Sequence, residues 1–148
     1  MKIFMVLGLE IIYLIYYSKN CMSKIVIVDD SQDLLDVLKF FLEQRGYEVE
    51  TASTEKDLIS LIRSFSPDLI ILDIYLQGED GREICKKLRN QIETKYLCIL
   101  MFSASTKKLS NYKEYGADGY IEKPFGLNEV INKIESALET CKDYRQLQ

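Results

Sequence analysis

Between Lys24 and Cys141 short apolar runs alternate with helical patterns, and this alternation restricts the fold more than any other feature of the chain. Ile25-Val26-Ile27-Val28 is a β-branched run that reads as a buried strand, and it ends in Asp29-Asp30. Ser31 is placed to cap a helix in which Leu34, Leu35, Val37, Leu38, Phe41 and Leu42 recur at helical spacing, until Gly46 stops it. Tyr47–Thr51 is a second strand. Ser53 or Thr54 opens a second helix with a stripe of Leu58, Ile59, Ile62 and Phe65, and Pro67 follows it.

The most apolar strand, Leu69-Ile70-Ile71-Leu72, ends at Asp73. A loop with Gly78 and Gly81 leads to a helix near Arg82–Asn90. Leu97–Phe102 forms a fourth strand that ends at Ser103. A polar helix is expected over Thr106–Tyr115, stopped by Gly116. Tyr120-Ile121 belongs to a short fifth strand followed by Lys123-Pro124, and a last helix runs from Leu127 to Cys141 with Val130, Ile131, Ile134 and Leu138 inward. Five β–α units in a row predict an α/β fold: a five-stranded parallel sheet with helices on both faces, because parallel strands need crossover connections. In such sheets ligand chemistry gathers beyond the carboxyl ends of the strands.

Those ends carry Asp29 and Asp30, Asp73, Ser103 and Lys123. Each has an ordinary reading: a turn-forming aspartate, a capping serine, a solvated lysine. Together they need more, because three carboxylates at one end of an apolar sheet repel and raise one another's pKa. Two unit charges about 4 Å apart repel by roughly 4 kcal/mol at an effective dielectric of 20. A divalent cation reverses that penalty, and an oxygen-only donor set favours Mg2+ over zinc or copper. Lys123 would then neutralise a phosphate oxygen as a point charge. The group fits phosphoryl transfer onto a carboxylate, driven by positioning and charge neutralisation.

Composition removes other chemistries. The chain has no histidine, which excludes Ser-His-Asp and Cys-His machinery, His-ligated zinc and phosphohistidine within it. Its net charge of -4 is unlike that of a nucleic-acid binder, so no nucleic-acid contact is expected from this chain alone. Cys21, Cys85, Cys98 and Cys141 show no CxxC spacing, and packed or free thiols in a reducing compartment are expected rather than disulfides or a metal site. Ile3–Tyr17 is mostly apolar but short for a membrane span, which takes roughly 20 residues, and Glu10 interrupts it. Three readings of the first 21 residues stay open: a non-native or alternative-start extension, a helix packed on the domain or on a second copy, and a membrane anchor.

At these strand-end residues the sequence resembles the receiver domain of two-component response regulators, the CheY-like, flavodoxin-like (βα)5 group. The likeness runs from about Lys24 to Leu138. It is carried by Ile-Val-Ile-Val-Asp29-Asp30, Leu-Ile-Ile-Leu-Asp73, Asp80-Gly81, Phe102-Ser103-Ala104 and Gly116-Ala117-Asp118-Gly119-Tyr120-Ile121-Glu122-Lys123-Pro124-Phe125. It divides the chain into an apolar extension (1–22), a receiver domain (23–141) and a polar tail (142–148). It implies that Asp73 accepts a phosphoryl group from the phosphohistidine of a sensor kinase or phosphotransfer protein, or from a small phosphodonor. Asp29, Asp30, Asp73 and the backbone carbonyl of Tyr75 would hold Mg2+, and Lys123, joined to Pro124 by a cis peptide, would pair with the phosphate. Ser103 and Tyr120 would be the switch residues. They would reshape the face of the fourth helix, fifth strand and fifth helix, which is read by a downstream protein, a missing output domain or a second copy. The resemblance also implies a cytoplasmic phosphoprotein that catalyses only its own phosphorylation and dephosphorylation.

Three positions depart from the family's common pattern: Gln77 for proline, Ser103 for threonine, and the bulky Tyr75 two residues past the acceptor. Tyr75 is expected to crowd the attacking water and slow self-dephosphorylation. Among other classes, a haloacid-dehalogenase-type phosphatase would need a second aspartate two residues after the nucleophile, where Tyr75 stands. A flavin or dinucleotide binder would need a Gly-rich phosphate loop, and the chain has no GxG. A receiver-like interaction module that is never phosphorylated is the main rival. With a short polar tail after the last helix, the chain reads either as a stand-alone receiver or as one separated from an output domain.

Overall fold

The computed structural model describes residues 22–146. The sheet strands are β1 (Lys24–Val28), β2 (Glu48–Ala52), β3 (Leu69–Asp73), β4 (Cys98–Ser103) and β5 (Gly119–Glu122). The helices are α1 (Gln32–Gln44), α2 (Glu55–Phe65), α3 (Gly81–Arg89), α4 (Thr106–Leu109) and α5 (Leu127–Gln146). All neighbouring strands are parallel and the spatial order is β2-β1-β3-β4-β5. The order reverses between β1 and β3, so the crevice at the topological switch point opens between the residues that follow Val28 and Leu72, which are paired in register.

Side-chain alternation divides the core in two. Ile25, Ile27, Leu69, Ile71, Leu100 and Phe102 face α1 and α5, whereas Val26, Val28, Ile70, Leu72, Ile99 and Met101 face α2, α3 and the α4 segment. Every residue of β3 and β4 is buried. That two-sided burial is why these strands read as continuous apolar runs. The β2 edge keeps Glu48 and Glu50, charges that blunt an exposed strand edge.

The expected caps at Ser31 and Thr54 form: Ser31 accepts from the Leu34 amide at 3.5 Å and Thr54 from the Asp57 amide at 3.1 Å. Asp80 also caps α3, accepting from the Arg82 amide at 2.9 Å. Gly116, at φ 83°, ends the segment before β5 in the left-handed conformation.

Four expectations are corrected. The polar helix over Thr106–Tyr115 is a four-residue α4 followed by a 3-10 turn at Tyr112–Tyr115. Ser110 turns its hydroxyl back on the Lys107 carbonyl at 2.8 Å, and Leu109 is the only fully buried apolar anchor between Lys107 and Tyr115. Val37 is 56% exposed, since at roughly 100° per residue it lies about 100° from the centre of the α1 stripe. The last helix does not stop at Cys141 but continues to Gln146. Cys98 and Cys141, expected as separate thiols, are joined by a disulfide, their Cα atoms 6.0 Å apart. The bond closes between the first residue of β4 and the inner face of α5, a contact that a separation of 43 residues without CxxC spacing could not reveal. Cys85 is a buried free thiol, and Cys21 lies outside the described residues, as do the readings of the apolar extension.

Arg89, at the end of α3, ties the β4 and β5 approaches together. Its guanidinium donates to the carbonyls of Lys95, Leu97 and Gly116 and to the Asp118 carboxylate, which also accepts the Ile99 amide at 2.8 Å. Replacing Arg89 with leucine leaves these acceptors without their charged donor. We expect a loss of about 2–3 kcal/mol of stability, read from the urea midpoint at unchanged m-value.

Candidate functional site

Asp73 is the last residue of β3, paired in register with Phe102 and only 5% exposed. Asp29 follows β1 directly and is 1% exposed, whereas Asp30, one residue on, is exposed. One carboxylate oxygen from each of Asp29, Asp30 and Asp73 lies within 4.8 Å of the other two. Asp29 is oriented by the Ser31 amide, which donates to its Oδ1 at 2.9 Å, so the residue that caps α1 also fixes the acid before it.

Lys123 reaches this cluster from the loop after β5. Its amide donates to the Ser103 carbonyl at 2.8 Å, its peptide bond to Pro124 is cis as expected, and its side chain passes over the Phe102 ring. The ammonium lies 2.6 Å from Asp29 Oδ2 and 3.3 Å from Asp73 Oδ2. Burial pushes the Asp73 carboxyl up to about 7; the Lys123 charge works against that shift and the neighbouring Asp29 adds to it. An acid so placed gains from any further cation, and the all-oxygen donor set fits a hard ion such as Mg2+.

The remaining candidates stand around this centre. The Tyr75 amide donates to Asp73 Oδ1 at 3.3 Å, while its half-exposed ring lies under the Lys108 ammonium, 3.8 Å from the ring centroid. Tyr75-Leu76 and Glu79-Asp80 form a two-residue antiparallel hairpin that folds the loop back. Ser103 is buried, and its hydroxyl accepts the Ser105 amide at 3.1 Å, so its ordinary role as a turn former operates here alongside its position beside Asp73. Tyr120 is half-buried, its ring tilted against that of Tyr112 at 5.3 Å and under the Lys133 ammonium of α5.

Gly81 is a site residue whose reason the sequence did not disclose. Its amide donates to the Ile74 carbonyl at 2.9 Å, and a Cβ there would run into the backbone carbonyl of Asp73. Gly81 after the capping Asp80 was the visible signal; the backbone opposite it was not. Asp118 proves to be an anchor for Arg89 and the Ile99 amide rather than part of the acidic cluster.

The family model described as the response regulator receiver domain matches residues 25–135. Among solved structures, a putative response regulator from Chloroflexus aurantiacus is 32% identical with a TM-score of 0.75, over 80% of this chain and 98% of that one. A chemotaxis response regulator of Vibrio cholerae is 30% identical with a TM-score of 0.73, over 78% and 98%. NtrX of Brucella abortus is 32% identical with a TM-score of 0.78, over 85% of this chain but 29% of the longer one.

The raised Asp73 pKa gives a signed expectation. The folded chain holds this proton more tightly than the unfolded chain, so ionising Asp73 costs stability as pH rises from about 4 to about 7. Asp73→Asn in EDTA is therefore expected to raise Tm by about 5 °C at pH 8, with the gain shrinking toward pH 4 in a thermal scan series.

Proposed function

We propose that this chain, which belongs to the response regulator receiver family, takes a phosphoryl group onto Asp73 and converts it into a change of its α4-β5-α5 face. The observation that carries this reading is the ammonium of Lys123 held between two buried carboxylates, 2.6 Å from Asp29 and 3.3 Å from Asp73. A structural salt bridge needs one acid; the second acid, at the carboxyl end of the neighbouring strand, is left to react.

In the reaction an Asp73 carboxylate oxygen attacks phosphorus. The bond to the donor breaks, a P–N bond for the phosphohistidine of a sensor kinase or phosphotransfer protein and a P–O bond for an acyl phosphate. Mg2+ held by Asp29, Asp30, Asp73 and the backbone carbonyl of Tyr75 would neutralise phosphoryl oxygens and relieve the repulsion among the acids. Lys123 supplies a fixed positive charge to one phosphoryl oxygen. Ser103, one residue past the Asp73 pairing partner on β4, exchanges its bond to the Ser105 amide for one to the phosphoryl group. That exchange loosens the start of α4, a four-residue helix with little internal support, and Tyr120 repacks against the space it leaves. An added charge of about -1.5 to -2 biases the face.

On this reading the chain is not an enzyme toward other molecules. Its only catalysis is of its own phosphorylation and dephosphorylation, in the cytoplasm where sensor kinases present their phosphohistidines. The message passes to a protein target, to an output domain, or to a second copy through α4-β5-α5. Among the described residues no helix is long and apolar enough to cross a membrane.

Incubation with Mg2+ and acetyl phosphate or phosphoramidate, followed by intact-mass measurement, is expected to add one phosphoryl group that Asp73→Asn loses. No gain with any donor, a cognate kinase included, would mean an interaction module that is never phosphorylated. Tyr75 donates its amide to the acceptor and its bulky ring is held by Lys108 two residues past it, so Tyr75→Asn is expected to speed phosphoryl loss several-fold. Unchanged or slower decay would show that this ring does not limit water.

A further inference from the structure

We propose that Cys98 and Cys141 form a reversible thiol–disulfide site that fastens α5 to the sheet. The two sulfurs meet at the far end of the molecule from Asp73. Cys98 opens β4 opposite Leu69, and the acidic cluster lies about 13 Å away along the strands, at roughly 3.3 Å per residue. Both residues are packed in the core cluster that α5 builds with Ile131, Ile134, Ala137 and Leu138. Cys98 Sγ also lies 3.5 Å from the Ala137 carbonyl, one turn of α5 before Cys141.

The other described thiol is excluded by its surroundings. Cys85 is fully buried on the inner face of α3, and burial pushes its thiol up to about 11, which leaves little thiolate to react. A metal centre is disfavoured as well. Asp118 brings a carboxylate oxygen within 4.8 Å of both sulfurs, yet its Oδ2 already accepts the Arg89 guanidinium and the Ile99 amide. What remains is a pair of cysteines placed to close on each other.

Access comes through α5. Cys141 lies near the end of α5, where helix turns fray most readily. An exposed Cys141 thiolate attacks a small-molecule or protein disulfide, forming a mixed disulfide and releasing one thiolate. Cys98, as thiolate, then attacks the Cys141 sulfur, closes the Cys98–Cys141 bond and releases the second. Two cysteine thiols thus give up two protons and two electrons, and the oxidant becomes two thiols; an excess of thiol reverses both steps. In a reducing compartment such a bond is transient and regulatory. Its structural effect is to keep α5, one wall of the α4-β5-α5 face, from parting from β4. The inference stands independently of the acceptor reading, because neither sulfur touches the acidic cluster.

The full chain, equilibrated in glutathione buffers from reducing to oxidising, is acid-quenched, denatured, alkylated and mapped by mass. We expect two of its four cysteines to become protected, Cys98 and Cys141 and no others, and dithiothreitol to restore them. The oxidised form is expected to melt roughly 10 °C above the reduced form, as closure of a 43-residue loop predicts. Cys98→Ala and Cys141→Ser should each abolish the shift, and Cys85→Ser should keep it. Four alkylated cysteines in every buffer, a pairing that includes Cys21 or Cys85, or a covalent dimer would overturn the proposal. So would protection of the reduced chain that needs zinc and is lost in EDTA. Acetyl phosphate should label both redox forms equally. Labelling absent from both would count against the acceptor reading alone, since alkylation reports the sulfurs directly.

Discussion

Asp29 and Asp73 are buried carboxylates on neighbouring strands, and a single ammonium from a third strand end lies between them. Buried like charges at this range are tolerated only with a counter-charge in contact. Lys123 is therefore more than a candidate phosphate ligand: it holds the carboxyl edge of the sheet together. The position of that lysine depends on the β5 register, on its amide bond to the Ser103 carbonyl, and on the cis peptide that turns the chain away after it. Much of the fold serves to deliver one side chain to one place.

Burial leaves the cluster with more carboxylates than positive charge. Desolvation and the neighbouring acid lift Asp73 toward neutral pH even with Lys123 in contact. The same environment that makes ionisation costly makes any added cation or phosphoryl group a large local event. Next to it stands a weakly built segment, a four-residue α4 followed by a 3-10 turn, with Leu109 as its one fully buried apolar anchor. A strongly coupled charge site beside a lightly anchored element is the arrangement a switch requires, since a modest energetic bias can move the second without unfolding the first.

The opposite end of the sheet is fastened differently. Arg89 and Asp118 tie α3 to the entries of β4 and β5, and the Cys98–Cys141 bond ties α5 to β4. The amino ends are thus tied by Arg89 and the sulfur bridge, and the carboxyl ends by the single ammonium of Lys123.

The sequence by itself determined the elements and their chemistry. Ile25–Val28 and Leu69–Leu72 read as buried strands, the serine and threonine caps could be assigned, and Asp29, Asp73, Ser103 and Lys123 fell at strand ends, because periodicity and capping act within a few residues of chain. The length of α4, the exposure of Val37, the clearance at Gly81 and the meeting of Cys98 with Cys141 were decided only in three dimensions. So was the contact that defines the site, which joins Lys123 to Asp29 across 94 residues and to Asp73 across 50. The physical reason is the strand order β2-β1-β3-β4-β5, fixed by which faces the helices can cover; it makes neighbours of strand ends that no local pattern relates.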